Sequence, residues 1–316
     1  MIHRAPESSA ALDIAEAYYS QRHAISSDRE TLERLISTVG RPTDLMPFQW
    51  AQWYATVLDF RPSLILELGR GQGNSTALFC QALARLGEGR VVSLCFSRDW
   101  EAATRPKLAT WLPDEWFASL DARTGDILAA DFEHLLVGES RVLVLWDAHG
   151  FEVASAVLGR ILPGLVDRPH LVLMHDISDA RHLPSSTRSY AGNPIWQGAA
   201  WQDRTKQPES RVRIGWMDSC QNQVIAIADF TSRNELELGS ADHEYHSFFD
   251  SEVKRQEMLD AIGPDLFSLT AHWAYLRLPQ DGRELYFPPP PVRRVARTHR
   301  GLRARRFLNR LMDSSL

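Results

Sequence analysis

Apolar and polar positions follow two rhythms along this chain. Leu12, Ile14 and Tyr18 are the apolar points of a loosely helical lead-in over residues 1–26. Ser27-Asp28-Arg29-Glu30 has the form of a capping box, with Leu32, Leu35 and Ile36 following at helical spacing until Gly40-Arg41-Pro42. Phe48–Phe60 reads as an amphipathic helix rich in aromatics, among them Trp50, Trp53 and Tyr54. From Ser63 the rhythm changes. Short apolar runs at Ser63–Leu68, Arg90–Phe96, Arg141–Trp146 and His170–Met174 predict strands, with a weaker strand near Ser119–Thr124. Helical periods at Ser75–Leu86, Asp99–Trp111, Leu128–Leu136 and Val153–Leu165 separate them. Such alternation predicts an α/β fold with a doubly wound, mostly parallel sheet.

After Asp179 the pattern breaks. Residues 182–211 are polar, rich in Ser, Gly, Pro and Trp, and read as an insert or lid. Two strand-like runs, Arg211–Trp216 and Gln223–Phe230, predict an antiparallel C-terminal hairpin that completes a seven-stranded sheet. Residues 231–275 are helical in part, around Ser251–Ile262, and Pro288–Pro291 form a spacer. The expected organisation is an N-terminal helical extension (1–39), a main domain (40–230), a C-terminal extension (231–291) and a basic amphipathic tail (292–316).

Composition narrows the class. Of 316 residues, 44% are hydrophobic and 24% charged, with a net charge of −5, which fits a soluble globular protein and gives no nucleic-acid signature, so no DNA partner is expected. Cys80, Cys95 and Cys220 are few, scattered and odd in number, which argues against a disulfide framework or zinc site and fits a reducing cytoplasm. Arg4 and Glu7 lie in an N-terminus without an apolar run, so no signal peptide is expected, and no run has the length to span a bilayer. The tail from Arg293 carries eight arginines against the single Asp313. With Phe307, Leu308 and Leu311 at helical spacing it has the form of a basic amphipathic helix suited to an anionic membrane surface or to RNA; the commoner reading, a solvated or partner-docked terminal helix, is favoured. A homo-oligomer is compatible with all of this.

The chemistry concentrates where strands end. Glu67-Leu68-Gly69-Arg70-Gly71-Gln72-Gly73-Asn74-Ser75 joins the first strand to its helix. Glycines permit a tight turn and close approach of a ligand to backbone N–H groups. A dinucleotide fingerprint would need a third glycine at position 74, which is Asn74. The spacing, with an acid two residues before the first glycine, resembles instead the first motif of class I S-adenosylmethionine (SAM)-dependent methyltransferases, whose fold is a Rossmann-like sheet. That resemblance implies that Glu67, Gly69, Gly71, Gly73, Asn74 and Ser75 form the cofactor loop. It also implies an acid for the ribose at the end of the second strand, where Cys95 stands; Asp99, or less well Ser97, is the substitute, although Asp99 is equally suited to capping the next helix. Asp126, after the third strand, matches the acid that receives the adenine amino group.

The fourth strand runs into Asp147-Ala148-His149 and the fifth into His175-Asp176. In an open α/β sheet these ends converge, and two carboxylates with an imidazole suit Mg²⁺ or Mn²⁺. Here the resemblance narrows to metal-dependent small-molecule O-methyltransferases, the cephalosporin-hydroxylase-like and macrolide sugar group. It implies Asp147 and Asp176 as metal ligands, with His175 in the place of a third, Asp147 also lining the cofactor site. A cation lowers the pKa of a bound hydroxyl, and His149 is the candidate base; the plain alternative for His149 is a structural histidine. Asn193-Pro194-Ile195-Trp196 is similar to a motif of amino-methylating enzymes but falls in the insert, where Tyr190, Trp196 and Trp201 offer stacking surfaces. The expected function is therefore methyl transfer from SAM to a hydroxyl of a small metabolite, a sugar or polyketide-like natural-product acceptor. The alternative is a module that binds SAM or its demethylated product without catalysis.

Overall fold

The computed structural model describes residues 13–41, 44–149, 151–175, 224 and 226–289. Helices α1 (Ile14–Ser20), α2 (Arg22–Ser27) and α3 (Arg29–Val39) lead to the longer α4 (Pro47–Phe60). Asp13 caps α1 by accepting from the N–H groups of Ala15 and Glu16. The capping box expected at Ser27–Glu30 is not formed. Ser27 ends α2, and Asp28 occupies the N-cap of α3 without a side-chain cap bond. Its carboxylate is drawn sideways, accepting from the Tyr54 hydroxyl and from Arg85 at 2.9 Å, so tertiary partners displace the local cap. Gly40, with φ of 75°, stops α3 where its sequence predicts.

Five parallel strands form the centre: β1 (Leu64–Leu68), β2 (Arg90–Cys95), β3 (Leu120–Thr124), β4 (Val142–Trp146) and β5 (His170–His175). Between them run α5 (Asn74–Leu86), a π-helical turn (Trp100–Thr104) leading into α6 (Arg105–Leu108), α7 (Phe132–Leu136) and α8 (Phe151–Ala156). Strand residues alternate between two cores. Ile65, Val91, Leu143, Leu145 and Leu173 pack with α1–α5, whereas Leu66, Val92, Val144, Trp146 and Met174 pack with α7, α8 and their neighbours. Helices on both faces make the sheet doubly wound, as the apolar runs predict.

The last two strands come from a different place than expected. The run Gln223–Phe230 is not a strand: its described residues 226–230 belong to a helix over 226–233 (α9). Within it Ile227 and Phe230 are buried, three positions apart, while Ala228 and Asp229 are exposed, which is helical and not alternating burial. Its expected partner Arg211–Trp216, the insert 182–211 and the tail 292–316 lie outside the described residues. The sheet is completed by β6 (Gly239–Ser240) and β7 (Trp273–Leu276), separated by α10 (Ala241–Phe248) and α11 (Glu252–Leu266). β7 is antiparallel to both β5 and β6, giving the seven-stranded order β3-β2-β1-β4-β5-β7-β6. The antiparallel C-terminal pair therefore exists, but its strands are distant in sequence rather than a hairpin.

Polar residues inside α4 guide this closure. Gln52 is buried, donating from Nε2 to the carbonyls of Ser268 (3.1 Å) and Thr270 (3.0 Å) and accepting from Trp273 Nε1 at 3.1 Å. Gln49 donates to the Ala271 carbonyl at 2.7 Å. Backbone groups that would otherwise be unpaired beside β7 are thus satisfied by one face of α4. Tyr18 and Arg29 tie the N-terminal helices to the carbonyls of Leu266 and Ile262. The helices read as an N-terminal extension thus share one core with the sheet.

Candidate active site

Strand order reverses between β1 and β4: the chain leaves β1 toward β2 and β3, then crosses to β4 and β5. Loops at the carboxyl ends of strands at such a point bound a crevice. Three backbone bonds keep those ends level. Gly69 N–H donates to Leu94, Asp147 N–H to Leu68 and Gly125 N–H to Cys95, each at 2.9 Å. The glycine loop, Cys95, Asp126 and Asp147 therefore share one edge of the sheet.

All three loop glycines are left-handed, with φ of 97° at Gly69, 52° at Gly71 and 100° at Gly73. Their reasons differ. A Cβ on Gly69 would lie 2.5 Å from the Asp147 carbonyl oxygen, and one on Gly73 would lie 2.3 Å from the Trp100 ring. Both are explained by packing within the protein. A Cβ on Gly71 would meet only Asp44 Oδ2 at 3.8 Å, and Gly71 is exposed. This glycine is the one whose backbone is open to a ligand, and it is the observation that fits a cofactor.

Glu67 sits beneath the loop and is fully buried. Ser75 Oγ donates to its Oε1 at 2.5 Å, Thr76 Oγ1 to its Oε2 at 2.6 Å, and the Ser93 hydroxyl also to Oε2. Burial pushes its carboxyl above the usual range, and these hydroxyls and the nearby Arg70 pull it back. Arg70, itself buried, donates from Nη1 to Ser93 O and Oγ at 3.0 Å and from Nη2 to Glu101 at 3.0 Å. Glu67 and Ser75, expected among the cofactor contacts, thus pin the first turn of α5 to β2 and shape the loop from below. Asn74 is also buried, donating to the Arg41 carbonyl and to Asp44 Oδ2, each at 3.2 Å, while its Oδ1 has no partner among the described residues.

At the end of β2, Cys95 Sγ accepts from Ser97 N–H at 3.3 Å. Asp99 is exposed and makes no side-chain cap bond, so its carboxylate is on the surface near the place where the resemblance puts ribose. Glu101 lies further along the same turn and accepts from Arg70 and, at 3.1 Å, from Thr124 Oγ1. Asp126 Oδ1 accepts from Leu128 N–H at 2.9 Å, capping a short 3₁₀ turn.

The ends of β4 and β5 meet through side chains. His175 Nδ1 lies 3.2 Å from Asp147 Oδ1, and Nε2 lies 3.3 Å from Gln49 Nε2. His175 is buried and packs edge-on against Trp53, with ring centroids 5.5 Å apart. Asp147 is partly exposed, and His149 follows two residues later, half-buried. Asp176 lies outside the described residues. Both nitrogens of His175 thus have side-chain neighbours in the protein. Among the described residues no three His, Cys, Asp or Glu side chains converge as a cation site would require. Of the expected ligand set, Asp147 and His175 are brought together and Asp176 lies outside the described residues, and no step below is routed through a cation.

Asp44, Gln49, Arg70 and Glu101 are not among the site residues expected from the sequence. Arg70 sits inside the glycine motif, so its place in the loop was the available signal. Gln49 is 126 residues from His175 and had none.

No protein-family model matches the chain, and no curated protein is significantly similar to it. Solved structures with a similar fold include the O-methyltransferase TomG from Streptomyces achromogenes, involved in tomaymycin synthesis, in complex with SAM. It is 16% identical with a TM-score of 0.39, over 66% of this chain and 81% of that one. An SAH-bound Podospora anserina methyltransferase, PaMTH1, is 15% identical with a TM-score of 0.40, over 88% and 98%. An O-methyltransferase from Bacillus cereus in complex with SAH is 15% identical with a TM-score of 0.40, over 71% and 90%.

Proposed function

We propose that this protein is a SAM-dependent methyltransferase that transfers a methyl group to a hydroxyl of a small metabolite, a sugar or polyketide-like acceptor. The observation that carries the reading is Gly71, open at the switch point of a seven-stranded sheet whose order differs from the 3-2-1-4-5-6 of dinucleotide-binding sheets. A parallel centre closed by an antiparallel C-terminal pair is what the class I methyltransferase resemblance implies.

SAM, when bound, supplies an electrophilic methyl group on a sulfonium. The chain's own part is positioning. The loop Gly69–Gly73, held from below by Glu67, presents backbone N–H groups to the amino-acid end of the cofactor. Asp147 lines the crevice beside it, Asp126 faces the adenine end, and Asp99 takes the ribose in place of the acid missing at Cys95. His149 accepts the proton of the acceptor hydroxyl as its oxygen bonds to the methyl carbon and the carbon–sulfur bond breaks.

The test is methyl transfer from isotopically labelled SAM to a panel of sugar and polyketide alcohols, read by mass spectrometry. Labelled product from the full chain, lost in His149→Ala with SAM affinity retained, is the expected result. Absence of SAM binding defeats the reading. SAM binding with no transfer to any alcohol favours a non-catalytic SAM or SAH module, the reading to which Cys95 in the ribose position lends support.

A further inference from the structure

The orientation of one buried amide fixes the proton on His175. Gln49 Oε1 accepts from Met46 N–H at 2.8 Å, and Gln49 Nε2 donates to the Ala271 carbonyl at 2.7 Å. Reversing this amide would face oxygen to oxygen and N–H to N–H, so its orientation is determined by its partners. The second N–H of Gln49 therefore points at His175 Nε2, 3.3 Å away, and that nitrogen is an acceptor. A neutral imidazole with Nε2 accepting carries its hydrogen on Nδ1. That hydrogen faces Asp147 Oδ1 at 3.2 Å.

We propose that His175 is a positioning residue: Gln49 holds it as the Nδ1–H tautomer, and its Nδ1–H fixes the Asp147 carboxylate at the edge of the crevice. Four elements meet in this relay. Gln49 belongs to α4, its carbonyl partner Ala271 to the segment entering β7, His175 to β5, and Asp147 follows β4. Trp53 walls the ring on the α4 side. The relay depends on tautomer rather than on protonation. An imidazole fixed in this way orients an acidic partner as it does in other imidazole–carboxylate pairs. The effect on ligand binding rests on the SAM reading; the tautomer does not.

The experiment uses the full chain labelled with ¹⁵N-histidine. Long-range ¹H–¹⁵N correlation spectra distinguish the two neutral tautomers, and His175→Asn assigns the His175 signals by their loss. The expected spectrum is Nδ1–H in the wild type and a shift toward Nε2–H or a mixture in Gln49→Met, which keeps the volume and removes the donor. An Nε2–H or doubly protonated ring in the wild type, or an unchanged tautomer in Gln49→Met, overturns the proposal. Calorimetry with SAM then compares His175→Asn, whose amide N–H replaces Nδ1–H, with His175→Leu. Leucine should weaken SAM by about tenfold and asparagine restore most of it, the scale of one charge-assisted hydrogen bond. Equal weakening in both variants overturns the positioning role. Failure of the wild type to bind SAM defeats the proposed function while leaving the tautomer result standing.

Discussion

β5 carries a histidine near each end, and the two are built for different work. At the start of the strand, His170 Nδ1 donates to the Arg168 carbonyl at 2.8 Å and Nε2 accepts from Leu278 N–H at 2.8 Å. At its end, His175 meets Asp147 and Gln49. Both rings are buried. The first is stitched wholly to backbone, which makes it a clamp between β5 and the chain that follows β7. The second is stitched to side chains, one of them a carboxylate that reaches the surface. A histidine's identity and burial do not separate structure from function; its partners do.

Glu67 should give the largest effect, because it is where the carboxyl ends are held rigid. Glu67→Ala leaves three hydroxyls without their acceptor in a buried site and removes the negative charge near Arg70, and should cost on the order of 3 kcal/mol in chemical denaturation. Glu67→Gln keeps the volume and one acceptor and should cost clearly less. Equal losses would show that the carboxylate charge is not what holds the loop.

At the opposite end, His170→Ala removes the acceptor of Leu278 N–H and should cost about 1–3 kcal/mol while leaving ligand affinity unchanged. The pH dependence follows from the same geometry. Burial, the largest cause, holds the His170 imidazole below its ordinary value, so the unfolded chain binds the proton more readily. Its contribution to stability is present above about pH 6.5, the ordinary imidazole value, and is lost as pH falls below it toward the folded value. Denaturation midpoints across this window should fall more steeply in the wild type than in His170→Asn. Parallel curves would remove His170 as the cause.

Gly71→Ala should give the smallest change in stability and the most selective change in function. Its Cβ makes only an ordinary 3.8 Å contact with Asp44 Oδ2, so the penalty is the left-handed backbone alone, about 1 kcal/mol. Gly69→Ala and Gly73→Ala each force an atom into contacts of 2.5 and 2.3 Å and should lower the melting temperature far more. Three similar melting temperatures would mean that the glycines do not divide into packing and ligand roles.

Strands β1, β2, β4 and β5 were legible because strands buried on both faces read as continuous apolar runs, whereas the partly exposed β3 gave a weaker signal, and Gly40, Gly69 and Gly73 mark turns that only glycine fits without strain. The closing strands were not. β6 has two residues and β7 four, too short for a periodic signal, whereas Val224–Phe230 alternates loosely enough to be mistaken for a strand. Burial of Ile227 and Phe230 against the second core decides in favour of helix. In the site, Asp147 and the glycine loop could be seen from local sequence. The role of Glu67 could not, since nothing in the motif distinguishes an acid that meets a ligand from one that meets Ser75, Thr76 and Ser93. The relay through Gln49 depends on a fold in which α4, β5 and the entry to β7 touch, and no local pattern records that.

Calorimetric titration of SAM, SAH and NAD into the wild type and Gly71→Ala tests the central claim most directly. The account predicts that SAM and SAH bind the wild type and NAD does not, and that Gly71→Ala weakens SAM by about tenfold or more with little change in melting temperature. No heat with SAM, or equal affinity in the variant, would contradict it.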